Sequence, residues 1–246
     1  MKLEGLQKNW DAMGKLDPLY GVLSHEGKRG RVWDKDDFFR TGTVEIDAVL
    51  AQARGLGPLR LGQALDFGCA VGRLSQALAR HFKQVVGVDI APSMLAEARR
   101  LNRFKGRCRY LLNARPDLGL FKDSSFDLVY SVLVLQHMHP DYSSRYIPEF
   151  LRVLRPGGLA VFQIPAKAQY SRWRGLKVLA PKALLRAYRR LRYGPSVDPD
   201  LEIEMHGIAE EQVRALVQGG GGEILRWEND TYWVRKTGSK KSRKAV

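Results

Sequence analysis

Short apolar runs alternate along this chain with longer stretches in which apolar residues recur every three or four positions. QALDF, QVVGVD, CRYLL, FDLVYSV and LAVFQI read as buried strands, and the segments between them, such as LSQALARHF and SMLAEARRLNRF, carry helical spacing. Strands alternating with helices of this length predict parallel βαβ units with right-handed crossovers. The expected fold is therefore α/β, a doubly wound and mostly parallel sheet whose ligands sit beyond the carboxyl ends of the strands. Later in the chain IAEEQVRALVQ is again helical, and EILRWEND with TYWVRK forms an antiparallel hairpin through Asn229-Asp230 at an edge of the sheet.

The same pattern sets the expected organisation. Residues 1–60 form an N-terminal helical cap segment, with WDAMGKLDPLYGVL and RVWDKDDFFRTGTVEIDAVLAQARG as helical pieces and Thr43 able to cap the helix that carries Ile46, Val49 and Leu50. Residues 61–165 form the core. The alternation breaks after Pro165, so 166–206 is read as a basic helical insertion or lid. Residues 207–236 return to the core sheet, and 237–246 is a disordered basic tail.

Charge sharpens this division. Lys and Arg total 41 against 26 acids, a formal +15. Lys167 to Tyr193 contains nine basic residues and no acid, and Arg235 to Val246 contains six and none, so these two segments account for the whole excess. Such segments suit an anionic partner: membrane headgroups, nucleic acid or an acidic substrate. If PKALLRAYRRLRYG is helical, Lys182, Arg186 and Arg189 share one face while Leu184, Tyr188 and Leu191 share another, a pattern that suits a lid helix or an anionic membrane surface. MKLEGLQKNWDAMG has no apolar signal-peptide core, and no stretch approaches the roughly 18 apolar residues of a membrane span. The expected location is the cytoplasm, with a peripheral membrane contact open to the basic segment. The cysteines, Cys69 and Cys108, show no metal-ligand spacing.

Chemistry concentrates in ALDFGCAVGRLSQALAR, residues 64 to 80. Gly68, Ala70 and Gly72 do not make the G-x-G-x-x-G of a dinucleotide loop, and no Gly-Lys-Ser/Thr of a P-loop follows. Asp66 instead stands two residues ahead of the first glycine, where a carboxylate repels a diphosphate and suits a ligand with a positive end. DFGCAVG resembles the first motif, D/E-x-G-x-G-x-G, of the class I S-adenosylmethionine-dependent methyltransferases, with Ala70 in place of the middle glycine. The resemblance continues through VVGVDIAPSML, LLNARPDL, FDLVYSVLVLQHM and LRVLRPGGLAVF, in order and one strand and helix apart.

The resemblance implies a seven-stranded Rossmann-like methyltransferase sheet of the small-molecule branch, with S-adenosylmethionine as cofactor. It also implies site residues: Asp66, Gly68, Cys69, Ala70 and Gly72 around the loop, Asp89 on the ribose hydroxyls, Ile90 and Met94 at the adenosyl moiety, Asn113 and Ala114 at the adenine edge, and Ser131 near the methionine end. Pro156-Gly157 suits a turn before the fifth strand, with glycine at positive φ.

The acceptor is less legible. A hydroxyl acceptor needs a base, and the loop after the fourth strand offers Gln136, His137 and His139; His137 is the first candidate, with a loop-capping role as its alternative. Glu202, Glu204 and His206 can be placed over the pocket or paired with the basic helix, and His206 is the second catalytic candidate. No metal is expected, since neither these residues nor His25 and His81 give ligand spacing. Trp10, Tyr20, Trp33, Phe38 and Phe39 either cap the site or cover the sheet. The expected activity is methyl transfer to a small-molecule hydroxyl on a sugar, lipid-linked or natural-product acceptor. An RNA methyltransferase using the basic segments is the alternative, although no N/D/S-P-P-Y/F element and no Pro-Cys pair is present. A non-catalytic binding or scaffold protein is the third reading.

Overall fold

The computed structural model describes residues 2–167 and 204–238, together with Ala183, Leu184 and Ala187. The apolar runs form strands where expected: β1 (Gln63–Phe67), β2 (Gln84–Asp89), β3 (Cys108–Leu112), β4 (Phe126–Ser131), β5 (Leu154–Gln163), β6 (Gly222–Glu228) and β7 (Thr231–Lys236). They make one sheet in the order β3-β2-β1-β4-β5-β7-β6. β1 to β5 are mutually parallel, β7 is antiparallel to both neighbours, and β6 therefore runs with the parallel set. The order reverses between β1 and β4, which opens a crevice at their carboxyl ends.

The near-continuous apolar character of the central strands follows from burial on both faces. Successive residues of β1 divide between two cores. Leu65 and Phe67 pack with Tyr146, Ile147 and Phe150 of α6 (Pro140–Val153) and with Val213 and Val217 of α7 (Glu210–Gly219). Ala64 faces the other way, toward Ile46 and Leu50 of α3 (Lys35–Gly55), Leu74 and Leu78 of α4 (Arg73–Leu78), and Leu95 of α5 (Pro92–Leu101). Gly42 permits the close approach of α3 to α4, because a Cβ there would lie 2.6 Å from the Arg73 carbonyl oxygen.

The N-terminal segment supplies α1 (Leu3–Leu16) and α2 (Pro18–Val22) as well as α3. α3 begins at Lys35, and Thr43 does not cap it. Asp34 is the cap, accepting the Asp37 N–H at 2.9 Å, and Asp36 and Asp37 oppose the helix dipole in the first turn. Thr43 sits inside the helix, its hydroxyl donating to Phe39 O. Trp33, Phe38 and Phe39 join Leu19, Val71, Ala91 and Met94 in a third cluster. These aromatics are packing residues; of the N-terminal aromatics only Trp10 reaches the cavity described below.

The C-terminal hairpin turns through Asn229 and Asp230, both at positive φ, as a two-residue turn matching the twist of the flanking strands requires. Gly157 also has positive φ, and pairing of β5 with β4 shifts between Leu154 and Leu159 around it. Among the described residues no helix is long and apolar enough to cross a membrane. Of the proposed amphipathic helix, Leu184 is 64% exposed; Lys182, Arg186, Tyr188, Arg189 and Leu191 lie outside the described residues, as does Glu202.

Candidate active site

The crevice at the carboxyl ends of β1, β2 and β4 is a cavity of about 530 Å³, within the range of roughly 300–1,000 Å³ usual for small-molecule sites. Its floor begins with the loop after β1. Gly68 and Cys69 donate their N–H groups to the Val88 carbonyl at 2.8 and 2.9 Å, drawing the loop onto the end of β2. Gly68 has φ 77°, and a Cβ there would lie 2.3 Å from Val134 Cγ2. Gly72 has φ 82° and caps α4; a Cβ there would strike the Tyr110 hydroxyl. Both positions require glycine. Ala70, with φ 44°, adopts the left-handed region with a side chain, at a steric cost.

At the end of β2, Asp89 accepts the N–H groups of Ala70 and Ala91, each at 2.8 Å. Removal from solvent raises its pKa, while these backbone donors pull it down. Each carboxylate oxygen retains acceptor capacity, and the pair suits a vicinal diol.

Asn113 follows β3, its backbone N–H bonded to Asp89 O. Its amide nitrogen donates to Asp117 O at 3.0 Å and to the Tyr146 hydroxyl at 3.3 Å, so both Nδ2 hydrogens are used. Asn113 Oδ1 is buried without a partner. An unpaired acceptor on a cavity wall calls for a ligand donor, and an exocyclic amino group supplies one. An adenosyl ligand has both the diol and the amine, so these residues fit S-adenosylmethionine.

Seven of the residues expected from sequence line this cavity: Gly68, Cys69, Ala70, Asp89, Ile90, Asn113 and His137. The other six do not. Asp66 alternates with Phe67 along β1, so Phe67 meets the cavity while the Asp66 carboxylate points to the opposite face and accepts the Ser75 hydroxyl at 2.5 Å. Burial pushes its pKa up to about 7, against the Ser75 bond and the Arg73 charge. Met94 is buried in the cluster under the N-terminal segment. Ala114 is turned to solvent, Gly72 caps α4, and Ser131 is fully buried with its hydroxyl unpartnered.

His206 is the sixth. Its backbone N–H donates to Gln136 O at 2.7 Å, and its imidazole is held by the Glu204 carboxylate at 2.9 Å and the edge of His139, away from the cavity wall. Among the described residues no three His, Cys, Asp or Glu side chains gather as a metal site.

His137, on a short 3-10 turn (Leu135–His137), does face the cavity. Its Nδ1 lies 3.0 Å from the Glu204 carbonyl oxygen. A carbonyl only accepts, so Nδ1 carries the hydrogen and Nε2 keeps a lone pair. The Trp10 ring meets the imidazole edge-on at 5.3 Å. Desolvation lowers the His137 pKa and holds the ring neutral.

Arg73 and Tyr146 also line the cavity and lie outside the quoted motif roles. Arg73 is buried, ion-paired with Glu45 at 2.8 Å, with Nε unpartnered. Tyr146, on α6, orients Asn113 while donating to Arg115 O. Arg73 directly follows the glycine loop and was visible there; nothing in the sequence around Tyr146 marks it.

A family description for a methyltransferase domain matches residues 65–162, the strands and loops that build this crevice. Trans-aconitate 2-methyltransferase of Deinococcus radiodurans is 33% identical over 223 residues, covering 82% of this chain and 81% of that protein. A ubiquinone biosynthesis O-methyltransferase of Xanthomonas oryzae is 32% identical over 151 residues, 61% of this chain and 52% of its own length, so the match spans about half of that relative. Among solved structures, magnesium protoporphyrin IX methyltransferase of Synechocystis with bound SAH has a TM-score of 0.58 at 20% identity, over 94% of this chain and 98% of that one, a likeness of fold. With the strand order, the glycine loop and the diol- and amine-matching wall, these similarities show that the chain belongs to the class I S-adenosylmethionine-dependent methyltransferases, enzymes whose cofactor is S-adenosylmethionine.

Proposed function

We propose that this enzyme methylates a hydroxyl oxygen of a small molecule, with His137 as general base. When bound, S-adenosylmethionine supplies a sulfonium methyl group whose C–S bond breaks as the acceptor O–C bond forms. The backbone of Gly68, Cys69 and Ala70 borders the amino-acid end, Asp89 accepts from the ribose hydroxyls, Ile90 packs on adenine, and Asn113 Oδ1 accepts from its amino group. His137 Nε2 takes the hydroxyl proton, while Nδ1 stays anchored to Glu204. Glu204 and His206, at the end of the insertion, contact His137 and Gln136, while the lid expected over the rest of residues 166–206 falls mostly outside the described residues.

The observation that carries the catalytic assignment is the His137 tautomer: a neutral imidazole with its acceptor nitrogen left for substrate, on the cavity wall. The small-molecule class draws support from relatives named for trans-aconitate and for ubiquinone biosynthesis. Incubation with methyl-labelled cofactor and cell extract should label the small-molecule fraction; label confined to RNA would overturn that class. Substituting His137→Gln should lower the rate by about 10²–10⁴ with unchanged affinity for S-adenosylhomocysteine, as loss of a general base does. An unchanged rate would leave His137 a loop residue.

A further inference from the structure

The cavity has a second wall that the cofactor motifs do not supply. It is lined by Leu3, Leu6 and Trp10 of α1, Leu23 after α2, and Leu133 and Met138 after β4. α1 is bolted in place: Gln7 Nε2 donates to Ile90 O at 2.9 Å, and Asp11 accepts the Ser93 N–H at 2.8 Å. Leu133 has φ 60° and is 44% exposed while its side chain borders the cavity. Its N–H reaches Gln163 Oε1 at 3.2 Å, so a strained backbone presents an apolar side chain to the cavity.

Charge is confined to the other side. Among the described wall residues Arg73 and Asp89 are the only ones with permanently charged side-chain types, and both belong to the cofactor side. Arg73 is already paired with Glu45, and Asp89 holds two loop N–H groups. The polar side chains elsewhere on the second wall are His137, Ser24 and His25, the last two exposed. Among the described residues, a carboxylate or phosphate buried against this second wall meets no cationic side chain of that wall, and an unpaired buried anion is strongly disfavoured.

We infer that this second wall is the acceptor chamber and that the acceptor is a neutral, mainly apolar molecule bearing a hydroxyl, such as an alkylated phenol, rather than a polycarboxylate. The apolar body lies against α1 and Leu133, the hydroxyl turns to His137, and a polar substituent can leave past Ser24 and His25. This rests on the O-methyltransferase reading above, and the test separates the two.

Protein saturated with S-adenosylhomocysteine is titrated calorimetrically with para-hexylphenol and, separately, with trans-aconitate. The phenol should bind at least about tenfold more tightly. Equal or tighter binding of trans-aconitate, or no binding of the phenol, would overturn the assignment. A Leu3→Lys variant, altering a half-buried wall residue, should weaken the phenol about tenfold and leave S-adenosylhomocysteine affinity unchanged, because it removes apolar contact from one wall only. Unchanged phenol affinity in that variant also counts against the chamber. Failure of S-adenosylhomocysteine itself to bind would strike the cofactor assignments instead.

Discussion

The two walls of the cavity are built on different principles. The cofactor wall comes from strand ends: the loop after β1, Asp89 at the end of β2 and Asn113 after β3 stand side by side because their strands do. The other wall gathers Leu3, Leu6 and Trp10 from one end of the chain and Leu133 and His137 from its middle, with His137 anchored by the Glu204 carbonyl near the end of the insertion. The first wall is polar and conformationally exacting, with positive φ at the alternate positions 68, 70 and 72. The second is apolar, with one oriented imidazole. A common cofactor is thus held by topology, and the acceptor by whatever the peripheral segments bring.

Breaking the cofactor wall should give the largest effect on binding. Asp89→Ala removes a charged acceptor for two hydroxyls, each such bond contributing about 1.5–3 kcal/mol, so S-adenosylhomocysteine should bind at least on the order of 100-fold more weakly. Calorimetry checks this, and wild-type affinity would mean the ribose lies elsewhere.

The acceptor wall should reveal itself through pH. Because desolvation lowers the His137 pKa, the base stays neutral below the ordinary histidine value of 6.5, and the acid limb of kcat/KM should turn down below that value. On that limb the rate falls about tenfold per pH unit. A limb centred above 6.5 would contradict a desolvated base. Stability shares the sign: with the folded pKa depressed, protonation of His137 disfavours the fold as pH falls through 6.5 toward the folded value.

Much of the first wall was legible in sequence, because each of its residues lies at a fixed place relative to a strand that the apolar pattern already marks. Asp66 shows the limit of that legibility. Its position in the motif was readable, but strand alternation turns its carboxylate toward Ser75 and away from the cavity. Met94 shows a second limit: packing of the N-terminal segment over α5 decides its surroundings, and no local spacing encodes that packing. The same non-local assembly hid Tyr146 and the pairing of His137 with Glu204, separated by 67 positions.

Finer changes should sharpen the contrast. Tyr146→Phe removes one of the two bonds that hold the Asn113 amide in a single orientation, and should weaken S-adenosylhomocysteine about fivefold, the worth of one neutral hydrogen bond. Binding of an adenine-modified analogue lacking the amino group should be insensitive to this change. Ala70→Gly relieves a side chain at φ 44° and should raise unfolding stability by about 1 kcal/mol in denaturant titration, with cofactor affinity near wild type. A loss of stability would show that the Ala70 methyl contributes packing that outweighs its strain.

The most direct measurement is a crystal structure of the complex with S-adenosylhomocysteine. The ribose hydroxyls should lie within hydrogen-bond distance of the Asp89 carboxylate and the adenine amino group against Asn113 Oδ1, leaving the space between His137, Trp10 and Leu133 open for the acceptor. Adenosine lodged between Trp10 and Leu133, with Asp89 out of reach of the ribose, would contradict the division of the cavity.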